Sequence, residues 1–331
     1  MTELSSTTII TGGAGFIGSH LAELLLPALI KNNEKLVLID DLSTGSRSNV
    51  SSILGAHCKL LESKVSNAVV KQPQLFSEAK HIYHLAASVG VELVASDPAA
   101  VIRNNIEETS ALFKCLEQSE ARVLLASTSE VYGKSADVPL RETSDLHYGP
   151  TTGPRWSYAL SKAVDEQLAL SQTHCNDGRP QAVVVRLFNT IGPRQVGTYG
   201  MVVPRFIQAA LRGEPLVIHG DGEQTRAFCD VRDVVAALAS LMETDQHCGQ
   251  LFNVGSSEEL SINQLAMRVL SLVDSASRPK HITTQQAYGQ GFEDPFRRRV
   301  PDVSKLKKAV GFSRRYELDQ TLQELIDLHR A

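Results

Sequence analysis

A tyrosine and a lysine four residues apart, Tyr158 and Lys162, are the side chains of this sequence best suited to acid-base chemistry. On a helix this spacing places the phenol and the ammonium on one face. Bringing a phenol pKa from about 10 toward about 7 requires about 4 kcal/mol of preference for the phenolate, and nearby positive charge can supply it. Because the spacing is common on helix surfaces, the interpretation depends on the surrounding segments.

A glycine-rich segment, TGGAGFIG at 11–18, follows the first predicted strand and satisfies GxxGxxG. Glycines allow the backbone to turn tightly and approach a pyrophosphate, whose charge then lies at the N-terminus of the next helix. Asp40 ends the second predicted strand about 20 residues further on, where a carboxylate accepts hydrogen bonds from ribose hydroxyls and repels a 2′-phosphate. The sequence therefore predicts a dinucleotide site for NAD rather than NADP. Its predicted residues are Gly12, Gly15, Phe16, Ile17, Gly18, Asp40 and Asp41.

A third chemical segment, STSEVYG at 127–133, follows the fifth predicted strand. It places the hydroxyls of Thr128 and Ser129 and the carboxylate of Glu130 at the carboxyl edge of a sheet, where the ligands of such sheets bind. Hydroxyls at a strand end often only hydrogen-bond the backbone of a turn, so they indicate a functional site only together with the other motifs.

Short β-branched runs alternate with longer helical stretches from Thr7 to about Leu187, which predicts βαβ units. We expect an α/β fold, with a Rossmann-type doubly wound parallel sheet and a smaller mixed C-terminal lobe. The predicted strands are Thr7–Thr11, Leu36–Asp40, Lys59–Glu62, His81–Leu85, Arg122–Ala126 and Ala182–Leu187.

Two helices are predicted within this alternation. One begins after an Asp97 N-cap, with Pro98 at its first position, and runs to about Ser119. The helix that carries Tyr158 is expected to run from Ser157 to about Asn176. After Leu187 short elements are punctuated by proline and glycine, with a capping box predicted at Ser261 and Gln264.

The amino-acid composition indicates which classes of protein are compatible with this sequence. The 331 residues are 42% hydrophobic and 21% charged, which is typical of a globular α/β chain long enough for two lobes. A net charge of −4 with interspersed signs predicts no nucleic-acid surface, and no segment has the length of apolar residues that a membrane span needs. The five cysteines suggest neither a disulfide framework nor a zinc site, so we expect no metal and a reducing cytoplasm.

Together the motifs TGGAGFIG, STSEVYG, YxxxK and RLFNTIGPR at 186–194 resemble the extended short-chain dehydrogenase/reductase family of nucleotide-sugar epimerases, dehydratases and decarboxylases. The resemblance spans nearly the whole chain. It implies Tyr158 as the base, Lys162 on the nicotinamide ribose and the phenolate, and Thr128 on the sugar 4-oxygen. It further implies that the cofactor is lined by Leu85, Ala86 and Ala87, and that Asn105 supports the site.

The resemblance also implies a nucleotide-sugar site in the C-terminal part. We assign residues 1–187 to the NAD-binding domain, with parts of 230–254 returning to it, and residues 188–331 to the nucleotide-sugar lobe. Arg226 is expected on the diphosphate. The other expected substrate residues are Arg155, Asn189, Val203, Arg205, Arg298 and Arg299. Where relatives carry an adenine-contacting aspartate, this chain has Glu62-Ser63-Lys64-Val65.

Three features favour decarboxylation of UDP-glucuronate through a transient 4-keto sugar. The Thr128-Ser129-Glu130 triplet resembles that of UDP-glucuronate decarboxylases, also called UDP-xylose synthases, and Arg155 and Arg299 match arginines in them. A sugar carboxylate needs such partners, and Glu130 could assist protonation of the sugar at C5. Because the 149–158 segment departs from those enzymes, 4-epimerisation of a UDP-hexose or UDP-hexuronate is the alternative. A 4,6-dehydratase and a silent NAD-binding regulator rank behind both.

The resemblance implies a homodimer formed through the YxxxK helix and the helix before it. The expected partner is a nucleotide sugar, with neither nucleic acid nor membrane.

Overall fold

In the computed structural model, residues 6–90, 94, 96–175, 180–197, 201–288 and 297–330 are described. The chain begins as alternating strands and helices because apolar β-branched runs form strands buried on both faces of one sheet. The elements of this part, in chain order, are β1 Thr7–Thr11, α1 Phe16–Lys31, β2 Lys35–Asp40, β3 Cys58–Glu62, α2 Val65–Lys71, α3 Pro73–Ser77, β4 His81–His84, α4 Pro98–Cys115, β5 Arg122–Thr128, α5 Ser157–Cys175 and β6 Gln181–Leu187.

Elements become shorter after β6. They are β7 Thr190–Ile191, α6 Val202–Leu211, β8 Leu216–His219, β9 Thr225–Ala227, β10 Cys229–Asp230, α7 Val231–Leu241, β11 Gln250–Val254, β12 Glu259–Ser261, α8 Ile262–Val273, β13 Pro279–Ile282, α9 Thr284–Tyr288, β14 Arg298–Arg299, α10 Ser304–Val310 and α11 Leu318–Arg330.

The main sheet has seven parallel strands in the order β11-β6-β5-β4-β1-β2-β3. Adjacent residues of β1 face opposite cores, since Ile9 packs in one apolar cluster and Ile10 in the other. Both faces are therefore covered by helices, as a parallel sheet requires. The predicted doubly wound fold is confirmed.

Residues 250–254 return to this sheet, where β11 pairs with β6 at its edge. The helix before it, α7, packs on α1. The remaining C-terminal elements form three small sheets, β10-β7, β12-β9-β14 and β13-β8. They surround a separate apolar core that includes Phe206, Leu265 and Leu322.

The predicted helix starts match local chemistry. The Asp97 side chain accepts a hydrogen bond from the Ala100 amide at the start of α4, and Ser261 and Gln264 form the predicted capping box of α8. The predicted end of α4 at Ser119 is wrong, because the helix stops at Cys115 and residues after it form a turn in which the Ser119 amide donates to the Leu116 carbonyl. The predicted end of α5 at Asn176 lies outside the described residues.

Across the described ranges, no helix combines the length and the apolar character needed to cross a membrane.

Candidate active site

A cavity of about 650 Å³ opens at the carboxyl ends of the main-sheet strands and continues between the two parts of the chain. Its size is typical of small-molecule sites. One end is bounded by the glycine-rich turn after β1, and the other by β8, β9 and the start of α6. The cavity wall includes every predicted site residue except Lys162 and Arg298.

The glycine-rich turn brings backbone close to the cavity. Gly12 has φ +68°, and a Cβ there would lie 2.9 Å from the Ala86 amide nitrogen. A Cβ at Gly18, in the first turn of α1, would collide with the Gly12 carbonyl oxygen. These two positions therefore need glycine for conformation and for close packing of turn against helix. The cavity wall here is made by Gly12, Gly15, Phe16, Ile17 and Gly18.

Asp40 ends β2 on the cavity wall, as predicted, with 8% of its surface exposed. Its two oxygens accept the amides of Ala14 and Leu42, each at 2.9 Å. Burial raises the pKa of Asp40, and these two hydrogen bonds oppose that rise. Since a carboxylate can accept about four hydrogen bonds, Asp40 can hold the turn and still bind a ribose. Asp41 also lies on the wall and accepts from the Ser43 amide and hydroxyl.

A buried chain of hydrogen bonds fixes the strand that faces the glycine turn. His84 lies between the hydroxyls of Thr11, at 2.8 Å, and Thr109, at 3.2 Å. Burial first, and Lys162 second, lower the pKa of His84 to about 3, so it is a neutral structural residue. The residues after it, Leu85, Ala86 and Ala87, line the cavity.

Asn105 of α4 links this wall to α5. Its carbonyl oxygen accepts the Ser88 amide at 2.7 Å, and its amide nitrogen donates to the Ser161 hydroxyl at 3.0 Å. It is buried and lies on the cavity wall.

Tyr158 lies on the cavity wall beside Thr128, Ser129 and Glu130, as predicted. Burial raises the pKa of Tyr158 well above its ordinary value, and the negative charge of Glu130 raises it further. The hydrogen bond with Thr128 acts in the opposite direction. The phenol is therefore neutral until further positive charge reaches it.

Lys162 is not part of the cavity wall. Its ammonium donates to Asp165 at 2.9 Å, and the two side chains are 2% and 1% exposed. The lysine that sequence reasoning placed against the cofactor thus points to a carboxylate one turn further along α5. The sequence carried no motif that marked Asp165.

Glu130 forms a cluster with the two arginines that were predicted to bind a sugar carboxylate. Arg155 holds it by two hydrogen bonds, at 2.6 and 3.0 Å, whereas Arg299 makes one at 3.3 Å. Arg299 also donates to the Asn189 side-chain oxygen at 2.8 Å. The three charged side chains are only 14%, 8% and 12% exposed. The cluster therefore carries one net positive charge on the cavity wall.

The cluster corrects one predicted role. Burial alone would raise the pKa of Glu130, but Arg155 and then Arg299 lower it to about 2. In this arrangement Glu130 is a carboxylate at neutral pH. It has no proton to give to a sugar carbon, contrary to the sequence-based expectation.

At the other end of the cavity lie the residues predicted for the nucleotide, namely Asn189, Val203, Arg205 and Arg226. Arg226 is buried, and its guanidinium donates to the Thr225 carbonyl. Arg298 is placed elsewhere: it is absent from the cavity wall and pairs at 2.8 Å with Glu259 on the exposed side of β14. Neighbours on a strand point to opposite faces, so Arg299 faces the cavity and Arg298 does not.

Sequence reasoning missed part of the wall. Ser63 and Lys64, where the expected adenine contact was lacking, both line the cavity, as do His219 and Phe228. His219 lies next to the GDGEQTR segment, which could have pointed to it. The other residues lie on loops whose position follows from the fold.

Comparison with known proteins places this arrangement in a family. The sequence profile of the NAD dependent epimerase/dehydratase family matches residues 8–255. The chain belongs to this family. It is an enzyme of the extended short-chain dehydrogenase/reductase class, and NAD is its cofactor.

Several relatives have names that bear on the reaction. The UDP-N-acetyl-α-D-glucosaminuronate decarboxylase of Bacillus cytotoxicus is 36% identical over 97% of both chains. UDP-glucuronic acid decarboxylase 1 of Xenopus tropicalis is 34% identical over 97% of this chain and 72% of its own. A crystal structure of the UDP-glucuronic acid 4-epimerase of Bacillus cereus, in complex with UDP-glucuronic acid and NAD, has a TM-score of 0.85 and 25% identity, covering 98% of this chain and 99% of its own.

The residues present fit NAD. A Cβ at Gly12 or Gly18 would occupy space that the tight turn needs, and Asp40 lies at the end of β2 where a ribose binds. The glycine turn and the first turn of α1 would hold the pyrophosphate, while residues 85–87 and Asn105 would border the nicotinamide end. When bound, NAD supplies reversible hydride chemistry, because it takes a hydride from the substrate and returns it.

We expect NAD to bind at least tenfold more tightly than NADP, because Asp40 and Asp41 place negative charge where the 2′-phosphate would lie. Isothermal titration calorimetry with both dinucleotides measures the ratio. In the matched variant Asp41→Asn, which keeps the side-chain shape and removes one charge, the ratio should fall mainly through tighter NADP binding. Equal affinity of the wild-type protein for the two would contradict the prediction.

Proposed function

We propose that this protein decarboxylates a UDP-linked hexuronate, with UDP-glucuronate as the first candidate, to UDP-xylose or the corresponding 4-keto pentose. The observation that carries the proposal is the cluster of Glu130, Arg155 and Arg299 on the cavity wall. The cluster places two guanidinium groups on the cavity wall, where they would attract the carboxylate of a hexuronate.

The geometry indicates which arginine receives the substrate. Arg155 holds Glu130 by two short hydrogen bonds, whereas Arg299 is attached by one at 3.3 Å. Arg299 is therefore the arginine that Glu130 holds less tightly, and we assign the sugar carboxylate to it. A planar guanidinium binds a carboxylate by two parallel hydrogen bonds, and an unpaired buried carboxylate would be too costly to tolerate.

The names of the relatives support the same class of substrate. The proteins of Bacillus cytotoxicus and Xenopus tropicalis are decarboxylases of UDP-linked hexuronates that differ at the sugar C2 substituent. Both UDP-glucuronate and its 2-acetamido counterpart therefore belong in a substrate panel. The likeness to the Bacillus cereus epimerase supports the second candidate, 4-epimerisation, in which the carboxylate is retained.

In this proposal, the N-terminal and C-terminal parts of the chain bind different molecules. Residues 1–187 together with the returning strand bind NAD, and residues 188–331 bind the nucleotide sugar. Arg226 and Arg205 supply positive charge for the diphosphate, while Asn189 links the diphosphate end to Arg299 through their 2.8 Å hydrogen bond.

The first chemical step is removal of hydrogen at C4. Tyr158 accepts the proton of the 4-hydroxyl while Thr128 orients the same oxygen, and the C4 hydrogen leaves as a hydride. The buried phenol becomes a base only when positive charge reaches it, because burial and Glu130 both raise its pKa. That positive charge comes from the oxidised nicotinamide ring and from Lys162.

The second step breaks the C5–C6 bond. The 4-keto sugar has its carboxylate β to a ketone, so carbon dioxide leaves and the electron pair passes into an enolate. A proton then adds at C5. Glu130 is held as a carboxylate by its arginines, so we assign this proton to solvent and assign Glu130 to orienting Arg155 and Arg299. UDP-xylose would be completed without external reductant when the hydride returns from NAD to C4 and Tyr158 returns its proton to the 4-oxygen.

Tyr158→Phe should bind NAD normally and lose turnover by about 10² to 10⁴-fold, because only the proton acceptor is removed. Steady-state rates with UDP-glucuronate and calorimetric NAD affinity measure the two properties. Tyr148→Phe is the matched control, since Tyr148 is not on the cavity wall and its buried hydroxyl has no hydrogen-bond partner among the described residues. A near-normal rate for Tyr158→Phe would refute its assignment as the base.

Incubation of the wild-type protein with UDP-glucuronate and no added reductant should give a product lighter by one carbon dioxide in mass spectrometry. Arg299→Ala should reduce that rate by at least about 10²-fold, as expected for loss of a bidentate contact to a charged group, and should affect UDP binding far less. Arg298→Ala removes the neighbouring arginine, which faces away from the cavity, and should keep the rate. Interconversion at C4 with the carboxylate intact would replace decarboxylation by 4-epimerisation.

We also propose a homodimer in a reducing cytoplasm. Helices α4 and α5 pack against each other and each has an exposed apolar side chain, Ile102 at 37% and Val164 at 48%. Apolar exposure on two neighbouring helices suits a two-fold interface in which the same face meets its copy.

Val164→Arg should convert the dimer to a monomer, because a guanidinium at the centre of an apolar helix interface is left without a partner. Light scattering coupled to size-exclusion chromatography measures the mass. Val70→Arg, at an 80% exposed valine of α2, is the control and should keep the dimer. A monomeric wild-type protein would contradict the proposal.

A further inference from the structure

Tyr158, Lys162 and Asp165 occupy positions i, i+4 and i+7 of α5, so all three lie on one face of the helix. Lys162 lies between Tyr158 and Asp165 along the helix. Its ammonium donates to the Asp165 carboxylate at 2.9 Å. Both members of this ion pair are almost fully buried. Separating a buried pair of this kind is costly unless each charge finds another partner.

The ion pair with Asp165 conflicts with the catalytic role proposed for Lys162. To support the phenolate and contact the nicotinamide ribose, the Lys162 ammonium must reach the cavity, but its side chain is absent from the cavity wall. Asp165 therefore competes with the cofactor and with Tyr158 for the same positive charge.

Asp165 is the carboxylate of α5 that is available for this competition. Its neighbour Glu166 is held at both oxygens by Arg186, at 2.9 and 2.7 Å, and also accepts the Ser127 hydroxyl. Through these contacts Glu166 connects α5 to β5 and β6. Asp165 accepts the Lys162 ammonium through one of its oxygens, at 2.9 Å. Burial raises the pKa of Asp165, and the charge of Lys162 and the hydrogen bonds with Lys162 and Thr109 oppose that rise.

The charged groups around Tyr158 come from four elements. Glu130, after β5, and Asp165, on α5, both raise the pKa of the phenol, whereas Arg299, on β14, lowers it. Arg155, before α5, acts mainly on Glu130, and His84, on β4, is neutral next to Lys162. Of the two carboxylates that oppose phenolate formation, the charge of Glu130 is compensated by two arginines and the charge of Asp165 by Lys162.

We propose that Asp165 is a positioning residue: it holds the Lys162 ammonium away from Tyr158 and from the cofactor, and gives it up when the cavity is filled. The proposal rests on the roles proposed above for Tyr158 and Lys162. It adds a residue that controls when the base is active. In this arrangement the phenol stays protonated while Lys162 is bound to Asp165, and it becomes a base once the ammonium turns to the ribose and the phenol.

The test is Asp165→Asn, which keeps the size and a hydrogen-bond acceptor for Lys162 and removes the charge. A unit charge acting over about 10 Å along the helix is worth about one pH unit at an effective dielectric constant of about 20. The acid limb of the kcat profile should therefore move down by about one pH unit, and NAD should bind severalfold more tightly by calorimetry.

Two further variants isolate the cause. Asp165→Glu restores the charge and should restore the wild-type acid limb. In the double variant with Lys162→Met, Asp165→Asn should give no gain in NAD affinity, because no ammonium is left to release. If Asp165→Asn does not fold, Asp165→Ser, which is smaller and uncharged, carries the same expectation.

An unshifted acid limb with unchanged NAD affinity, accompanied only by lower thermal stability, would show that the pair merely supports the fold and would overturn the proposal. Weaker NAD binding or an upward shift would also overturn it, because Asp165 would then be holding Lys162 in its working position. Ionisation of Tyr158 in the NAD-bound protein, read as tyrosinate absorbance after subtraction of the Tyr158→Phe protein, needs no sugar. Failure of UDP-glucuronate as substrate is therefore distinguishable from failure of this inference.

Discussion

The parallel arrangement of the main sheet is the constraint on which the rest of this structure depends. Because the strands run in one direction, the segments that follow β1, β2, β4, β5 and β6 all leave the sheet at the same edge. The glycine turn, Asp40, residues 85–87, the Thr128 segment and Asn189 consequently meet in one cavity, although they are spread over most of the chain. Ligands of open α/β sheets bind at this edge for the same reason.

The buried charged side chains on the cavity wall and behind it form small ion-paired groups. Glu130 is paired with Arg155 and Arg299, Lys162 with Asp165, and Glu166 with Arg186. Each group removes charges from water without leaving any of them unpaired, which burial would otherwise make prohibitive. In the proposed reaction, the two arginines of the first group bind the substrate carboxylate. The second keeps the ammonium that the proposed base requires within one helical turn of it.

This pairing explains why an active-site tyrosine can be embedded in the protein without being permanently ionised. Burial and the nearby carboxylates favour the neutral phenol. In the proposed mechanism, phenolate forms only where the oxidised cofactor and a released lysine add positive charge, which couples the base to the presence of its reaction partners. In the proposed reaction this limits proton abstraction to the complex in which a hydride acceptor is also in place.

Much of the fold and of the site was predictable from local sequence. The strands at 7–11 and 36–40, the glycine turn, the cap at Asp97 and the capping box at Ser261 depend on backbone conformation and on neighbours a few residues away, and sequence encodes these directly. The end of α4 was misplaced, because a helix end is decided by the turn that follows it. By itself, then, the sequence determined the family, the cofactor and the chemical types of the site residues. Only the tertiary structure decided that Arg299 meets Glu130 across 169 residues, that Arg298 faces outward, and that Lys162 turns to Asp165. Charge interactions depend on distance and burial in space, and neither can be read from the spacing of residues along a chain.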